Sequence, residues 1–294
     1  MRMLPLVAAL LSGLLLAPPL PATAATPTRT TTASPPAGDV PSVCTLVPLP
    51  PTPALDALRR VVATGRGHVL ALGSSTTAGV GAASRSQRWT DRFVAGLAER
   101  GLPVAPRTVG PLDARALTPQ PRLTLVNAAA PGATAAAPLL NPGGLAPLTL
   151  NYGVVHALGL LLARLVGQEP VAVIHMVGAN DYANAIAPRR YAAGLEAAVR
   201  LFPAATVHLF LGAYQAPAAG SRTAPWSEYG DAMRHVAQAD PERRLFLDLA
   251  PWFAAAGVTD GDPHGLVAGD RVHPSAAGHD AIARLVLRGL GYGC

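Results

Sequence analysis

Five short, largely apolar runs constrain what this chain can become: His68 to Leu72, Leu123 to Val126, Val171 to Val177, Thr206 to Leu211 and Arg244 to Leu249. Each has the length of a strand, and the near absence of polar alternation suits strands buried on both faces of a sheet. Around them lie segments of helical length: Ala54 to Ala63, Arg88 to Arg100, Tyr152 to Val166, Pro188 to Leu201, Ser227 to Ala239 and Pro274 to Leu290. This alternation predicts βαβ units, and so an α/β domain with a mainly parallel five-stranded sheet. In such an open sheet the strand ends converge on one crevice.

The residues that follow the strand runs point to chemistry. The first run stops abruptly at Gly73-Ser74-Ser75-Thr76-Thr77, the second at Asn127 and then Pro131-Gly132, the third at Gly178-Ala179-Asn180-Asp181. Far downstream, Asp270-Arg271-Val272-His273-Pro274 offers a carboxylate and an imidazole three residues apart. A serine hydroxyl is a weak nucleophile at neutral pH and needs a neutral imidazole to take its proton. His273 is the candidate base, and Asp270 the carboxylate that orients it. The oxyanion formed on attack needs donors already aimed at it, for which the Ser75 N–H, the Gly132 N–H and the Asn180 side-chain amide are the candidates.

These four segments, in this order, resemble the blocks of the SGNH hydrolase superfamily, which includes the GDSL-type esterases and lipases. The resemblance runs from about Gly67 to the C-terminus. It implies a flavodoxin-like three-layer α/β/α sandwich, with Ser75 as nucleophile, Gly132 and Asn180 in the oxyanion hole, and Asp270 with His273 as the final pair. One departure is that Ser74 stands where the family's name-giving motif has aspartate. Alignment with that motif selects Ser75 over Ser74 as nucleophile. No Gly-x-Ser-x-Gly elbow occurs, which disfavours the α/β-hydrolase form of the serine mechanism. The resemblance implies an esterase with no cofactor and no metal, and it admits carbohydrate deacetylation, short-chain ester hydrolysis, lipolysis and thioester cleavage. Small acyl esters, including acetyl groups on polysaccharide, are the preferred substrates. A transacylase and a non-catalytic carbohydrate-binding envelope module are the rival classes.

The N-terminus predicts export. Arg2, the apolar run Met3 to Ala17 and the small residues Ala22-Thr23-Ala24 have the pattern of a secretory signal over residues 1–25. The run, at about 15 residues, falls short of the roughly 20 needed to span a bilayer. Stable membrane insertion is therefore not expected, although Val154 to Val166 is strongly apolar. Residues 26–53, rich in Thr and Pro, read as a linker or surface-hugging arm, and 54–294 as one catalytic domain. An exported location, secreted or periplasmic, permits a disulfide between the two cysteines, Cys44 and Cys294. The chain carries a net charge of +6 with all 23 basic residues arginine. These are scattered, with no basic stripe interleaved with aromatics, so nucleic-acid binding is not expected.

Other polar residues have plainer readings. Asp260, Asp262, His264, Asp270 and His273 could be drawn together as a metal site, but their spacing fits no familiar ligand pattern, and turn formation explains the acids equally well. His68, His175 and His208 fall in strand runs as packing residues, and His279 on the final helix. Asp181 reads as a helix cap or a brace for Asn180, and Trp89 as a core residue. Tyr182, Tyr214 and Trp226 are either subsite walls or exposed loop aromatics.

Overall fold

A computed structural model of the protein describes residues 39–111, 113–136, 169–216 and 224–293. All of them belong to the compact unit that begins at Pro36. The expected helix Tyr152 to Val166, the signal segment, and Cys294 lie outside the described residues. The strands are β1 (His68–Gly73), β2 (Thr124–Asn127), β3 (Pro170–Met176), β4 (Val207–Gly212) and β5 (Arg244–Asp248). They form one sheet in the order β2-β1-β3-β4-β5, with every pair parallel. Because the order reverses between β1 and β3, the crevice for a ligand opens beside the end of β1.

The helices are α1 (Pro53–Thr64), α2 (Ser75–Ala78), α3 (Trp89–Glu99), α4 (Ala114–Leu117), α5 (Ala179–Ala183), α6 (Pro188–Val199), α7 (Trp226–Gln238), α8 (Ala250–Ala255) and α9 (Ala276–Gly289). The side chains of the strands alternate between two cores. On one face Val69, Ala71, Ile174 and Leu209 pack with Leu55 and Leu58 of α1, Phe93 and Leu97 of α3, and Ile282 and Val286 of α9. On the other, Leu72, Val173 and Phe210 pack with Leu195 and Ala198 of α6 and Met233 and Val236 of α7. This is the expected three-layer α/β/α sandwich. Each large side chain so buried contributes about 1.5–3 kcal/mol relative to exposure, enough in sum to hold the strand ends in fixed register.

Local signals set the ends of the elements. Thr52 caps α1 by accepting the Leu55 N–H, and Gly65 closes it at φ +64°. Ser275 caps α9 by accepting the Gly278 N–H. The described part of the arm lies along the end of α9: the Leu49 N–H donates to Gly289 O at 2.9 Å, and Arg288 Nε donates to Leu46 O at 3.1 Å. Trp252 Nε1 on α8 donates to Ser42 O at 3.3 Å. Among the described residues, no helix is long and apolar enough to cross a membrane.

Candidate active site

The nucleophile candidate sits where β1 ends. Gly73 is required there, since an added Cβ would collide with Met176 O and Thr77 Oγ1. The chain then turns into the one-turn helix α2, whose first residue is Ser75. The N–H of a first helical residue has no partner within its own helix. Among the described residues the Ser75 N–H finds no backbone acceptor elsewhere, so it remains available to a ligand. Ser74, at the N-cap position, is 3% exposed and makes no side-chain cap.

The loop after β5 and α8 brings in the base, 198 residues from the nucleophile. His273 Nε2 stands 2.8 Å from Ser75 Oγ, and His273 Nδ1 stands 2.6 Å from Asp270 Oδ2. A carboxylate only accepts, so Nδ1 carries the proton and Nε2 is left to accept the serine hydroxyl. Asp270 Oδ1 also accepts the N–H groups of Val272 and His273, at 2.9 and 3.0 Å. Partial burial pushes the Asp270 carboxyl up, but the donors of His273 and Val272 outweigh it and hold it below the usual carboxylate range. It is therefore an anion at neutral pH, its side chain 46% exposed beside an imidazole 19% exposed. Tyr214 supports the turn from behind, donating its hydroxyl to Val272 O at 2.9 Å.

The oxyanion candidates come from the strands that flank β1. After β2, the Ala128 and Ala130 N–H groups donate to Ala71 O and Gly73 O, both at 3.0 Å, which lays the loop of Gly132 along the nucleophile's strand. Gly132 adopts φ +82°, the left-handed region open to glycine. Asn127 ties this loop to its neighbours, its Nδ2 donating to Thr77 O at 2.7 Å and to Thr90 Oγ1 at 3.1 Å. After β3, Asn180 Nδ2 donates to Ala133 O at 2.9 Å, one of its two protons being so engaged and the second remaining for a ligand. Asp181 is fully buried and braces the same loop: the Ala135 N–H donates to both its carboxylate oxygens at 3.0 Å and the Ala136 N–H to one at 3.2 Å. Burial raises its pKa to about 7 against the lowering effect of these donors.

Of the two readings for Asp181, a helix cap or a brace for Asn180, the contacts fit the brace: it grips the loop whose Ala133 O accepts from Asn180. Tyr182 and Tyr214 are 5% and 6% exposed, so neither is an exposed loop aromatic. Asp262 accepts the Leu266 and Val267 N–H groups at 2.9 and 2.7 Å and stiffens the loop that leads to the base. Among the described residues no group of His, Cys, Asp and Glu is arranged to hold a metal ion. His175 and His208 pair within the core, ring nitrogens 2.9 Å apart, and burial drives the pKa of His208 down to about 3. His279, read as a helix residue only, makes two ring contacts at the site's rear, to Val80 O and the Trp89 N–H. No sequence signal distinguishes it from a packing histidine.

Residues 71–281 match the GDSL-like Lipase/Acylhydrolase family. Among solved structures, TesA is 21% identical with a TM-score of 0.50 over 76% of this chain and 98% of that one. A two-domain esterase (CEX) active on acetylated mannans is 16% identical with a TM-score of 0.52, over 80% of this chain and 52% of that one. The psychrotrophic esterase EstA from Pseudoalteromonas sp. is 16% identical with a TM-score of 0.49, over 76% of this chain and 96% of that one. At these identities the likeness to TesA and the two-domain esterase is one of fold. No curated protein matches the chain in sequence.

Proposed function

Since the chain belongs to the GDSL-like Lipase/Acylhydrolase family, a family of acyl ester hydrolases, we propose that it is a serine esterase whose nucleophile is Ser75, with His273 as base and Asp270 as its orienting carboxylate. The observation that carries this reading is the unbroken run from Ser75 Oγ to His273 Nε2 and from His273 Nδ1 to Asp270, at 2.8 and 2.6 Å. Ser75 Oγ attacks the ester carbonyl carbon while its proton passes to His273 Nε2. The oxyanion is met by the N–H groups of Ser75 and Gly132 and the spare proton of Asn180 Nδ2. Collapse expels the alcohol, which leaves with the proton from His273, and the acyl group stays on Ser75. Water, deprotonated by His273, then attacks the acyl-serine and releases the acid.

The favoured substrates are small acyl esters, among them acetyl esters of carbohydrate. Their support is the expected export and a fold also used by an esterase active on acetylated mannans. We further propose that residues 1–25 are a secretory signal, that the mature protein is secreted or periplasmic, and that Cys44 and Cys294 form a disulfide. The mechanism calls on no cofactor, so a chelator is expected to leave the rate unchanged.

The test is a serine-directed phosphonate followed by mass analysis. One adduct is expected on Ser75, with Ser75→Ala taking up none and losing ester hydrolysis by about 1,000-fold or more. Hydrolysis that persists unaltered in Ser75→Ala would falsify the reading. Added alcohol or sugar acceptors reveal any acyl transfer by diverting product from acid to new ester.

A further inference from the structure

We propose that His279 is a positioning residue for this reaction, fixing how far the Ser75 hydroxyl stands from the His273 imidazole by tying the turn behind the nucleophile to the helix behind the base. The inference rests on the reading of Ser75 and His273 as nucleophile and base. It begins from an imidazole that is wholly buried yet has both ring nitrogens engaged. Nε2 lies 3.1 Å from Val80 O, and the Trp89 N–H donates to Nδ1 at 3.3 Å. A carbonyl only accepts and an amide N–H only donates, so one neutral tautomer satisfies both, with its proton on Nε2. Burial, with Arg92, His273 and Arg88 around it, lowers its pKa to about 4 and keeps that tautomer at neutral pH.

Each contact leads to a reacting group. The Val80 N–H donates to Ser75 O at 3.0 Å, so the residue that His279 holds by its carbonyl in turn holds the carbonyl of the nucleophile by its N–H. Gly81 follows at φ +92°, and an added Cβ would collide with Pro274 O and come within 3.3 Å of His273 Cβ. The same turn thus rests directly on the segment of the base. At its own end, the His279 N–H donates to Ser275 O at 2.8 Å, two residues beyond His273. Trp89 opens α3, and its N-cap residue, Arg88, supplies no side-chain cap. The imidazole supplies the missing acceptor. One ring therefore joins the ends of three elements; the serine opens one of them, and the histidine lies in the loop that leads into another.

A residue that merely filled space could be replaced by another of similar volume without effect on the chemistry. The test compares His279→Phe, which fills the volume without hydrogen bonds, with His279→Gln, whose amide carries both a donor and an acceptor. Turnover of p-nitrophenyl acetate and the rate of Ser75 phosphonylation are measured together with the unfolding temperature. The expected result for His279→Phe is a fall of roughly 10- to 100-fold in kcat with KM within about twofold, as befits a displacement of the order of 1 Å. Phosphonylation slows by the same factor, and His279→Gln recovers most of both losses. Leu285→Ala, a core change on the same helix, serves as the control: it lowers the unfolding temperature and leaves kcat within about twofold. If His279→Phe does not fold, His279→Gln decides: kcat within about fivefold of the parent is expected, and a greater loss in folded protein overturns the proposal. A parent that takes label on Ser75 beside a His279→Phe that takes it equally fast overturns the positioning role alone. A parent that takes no label overturns the serine reading and this inference with it.

Discussion

Asp181 has no contact with solvent, yet three hydrogen bonds from the backbone of Ala135 and Ala136 converge on its carboxyl group. Its folded pKa of about 7 exceeds the usual 3.8, so folding favours the protonated form. Its contribution to stability is complete below pH 4 and is lost as pH rises towards 7. Asp181→Asn, neutral throughout, is expected to flatten that decline by the order of a few kcal/mol, read from urea unfolding at pH 4 and pH 7. His208 works with the opposite sign: its folded pKa of about 3 lies below the usual 6.5, so its contribution is present above pH 6.5 and lost as pH falls towards 3. Serine, histidine and aspartate were legible in the sequence as residues because their chemistry is rare at strand ends and in a Asp-x-x-His pair. The parts played by Asn127, Asp181 and His279 were not, because their partners lie between 37 and 199 residues away. Only folding names them.

At the scale of elements, the five strands were readable to within one residue at either end, because burial on both faces leaves an apolar run with sharp boundaries. The helices expected to begin at Ala54 and Pro274 begin at Pro53 and Ala276, each just after a capping hydroxyl, Thr52 and Ser275. The one-turn helices α2 and α5 were not readable: four or five residues carry no period, and their shape is imposed by the strand ends they follow. Helix α8, six residues beginning just past β5, escaped for the same reason. The contact between the turn after α2 and the start of α9 is tight enough to test. Gly81→Ala must hold φ +92° and place a methyl group against Pro274 O. The cost expected is about 1–3 kcal/mol in stability, with a fall in kcat that exceeds any change in KM. Thermal unfolding and steady-state kinetics on the same preparation check both.

For the molecule as a whole, the arm and the last helix form one seam: Leu46 and Leu49 bind the end of α9 through Arg288 and Gly289. A disulfide from Cys44 to Cys294 would lock that seam and in the chain-entropy model stabilise by up to about 5 kcal/mol. Cys44→Ser is expected to lower the unfolding temperature by several degrees, and a reducing agent to lower that of the parent equally. A reducing agent without effect, with both thiols free to alkylation, would exclude the bridge. The alternation of helices and strands predicts parallel pairing but not which strand sits at the switch point; that followed only from the flavodoxin-like fold the family resemblance implies, and the sheet has that order. With β1 there, three neighbouring strand ends bring up the Ser75 hydroxyl and the candidate oxyanion donors, while His273 arrives from a point 198 residues later. If Ser75 and His273 act as proposed, a growing polypeptide holds its nucleophile long before it holds the means to activate it. On that reading the unfinished product stays chemically idle, and it would gain the power to cut only once the segment of His273, just ahead of the last helix, is seated.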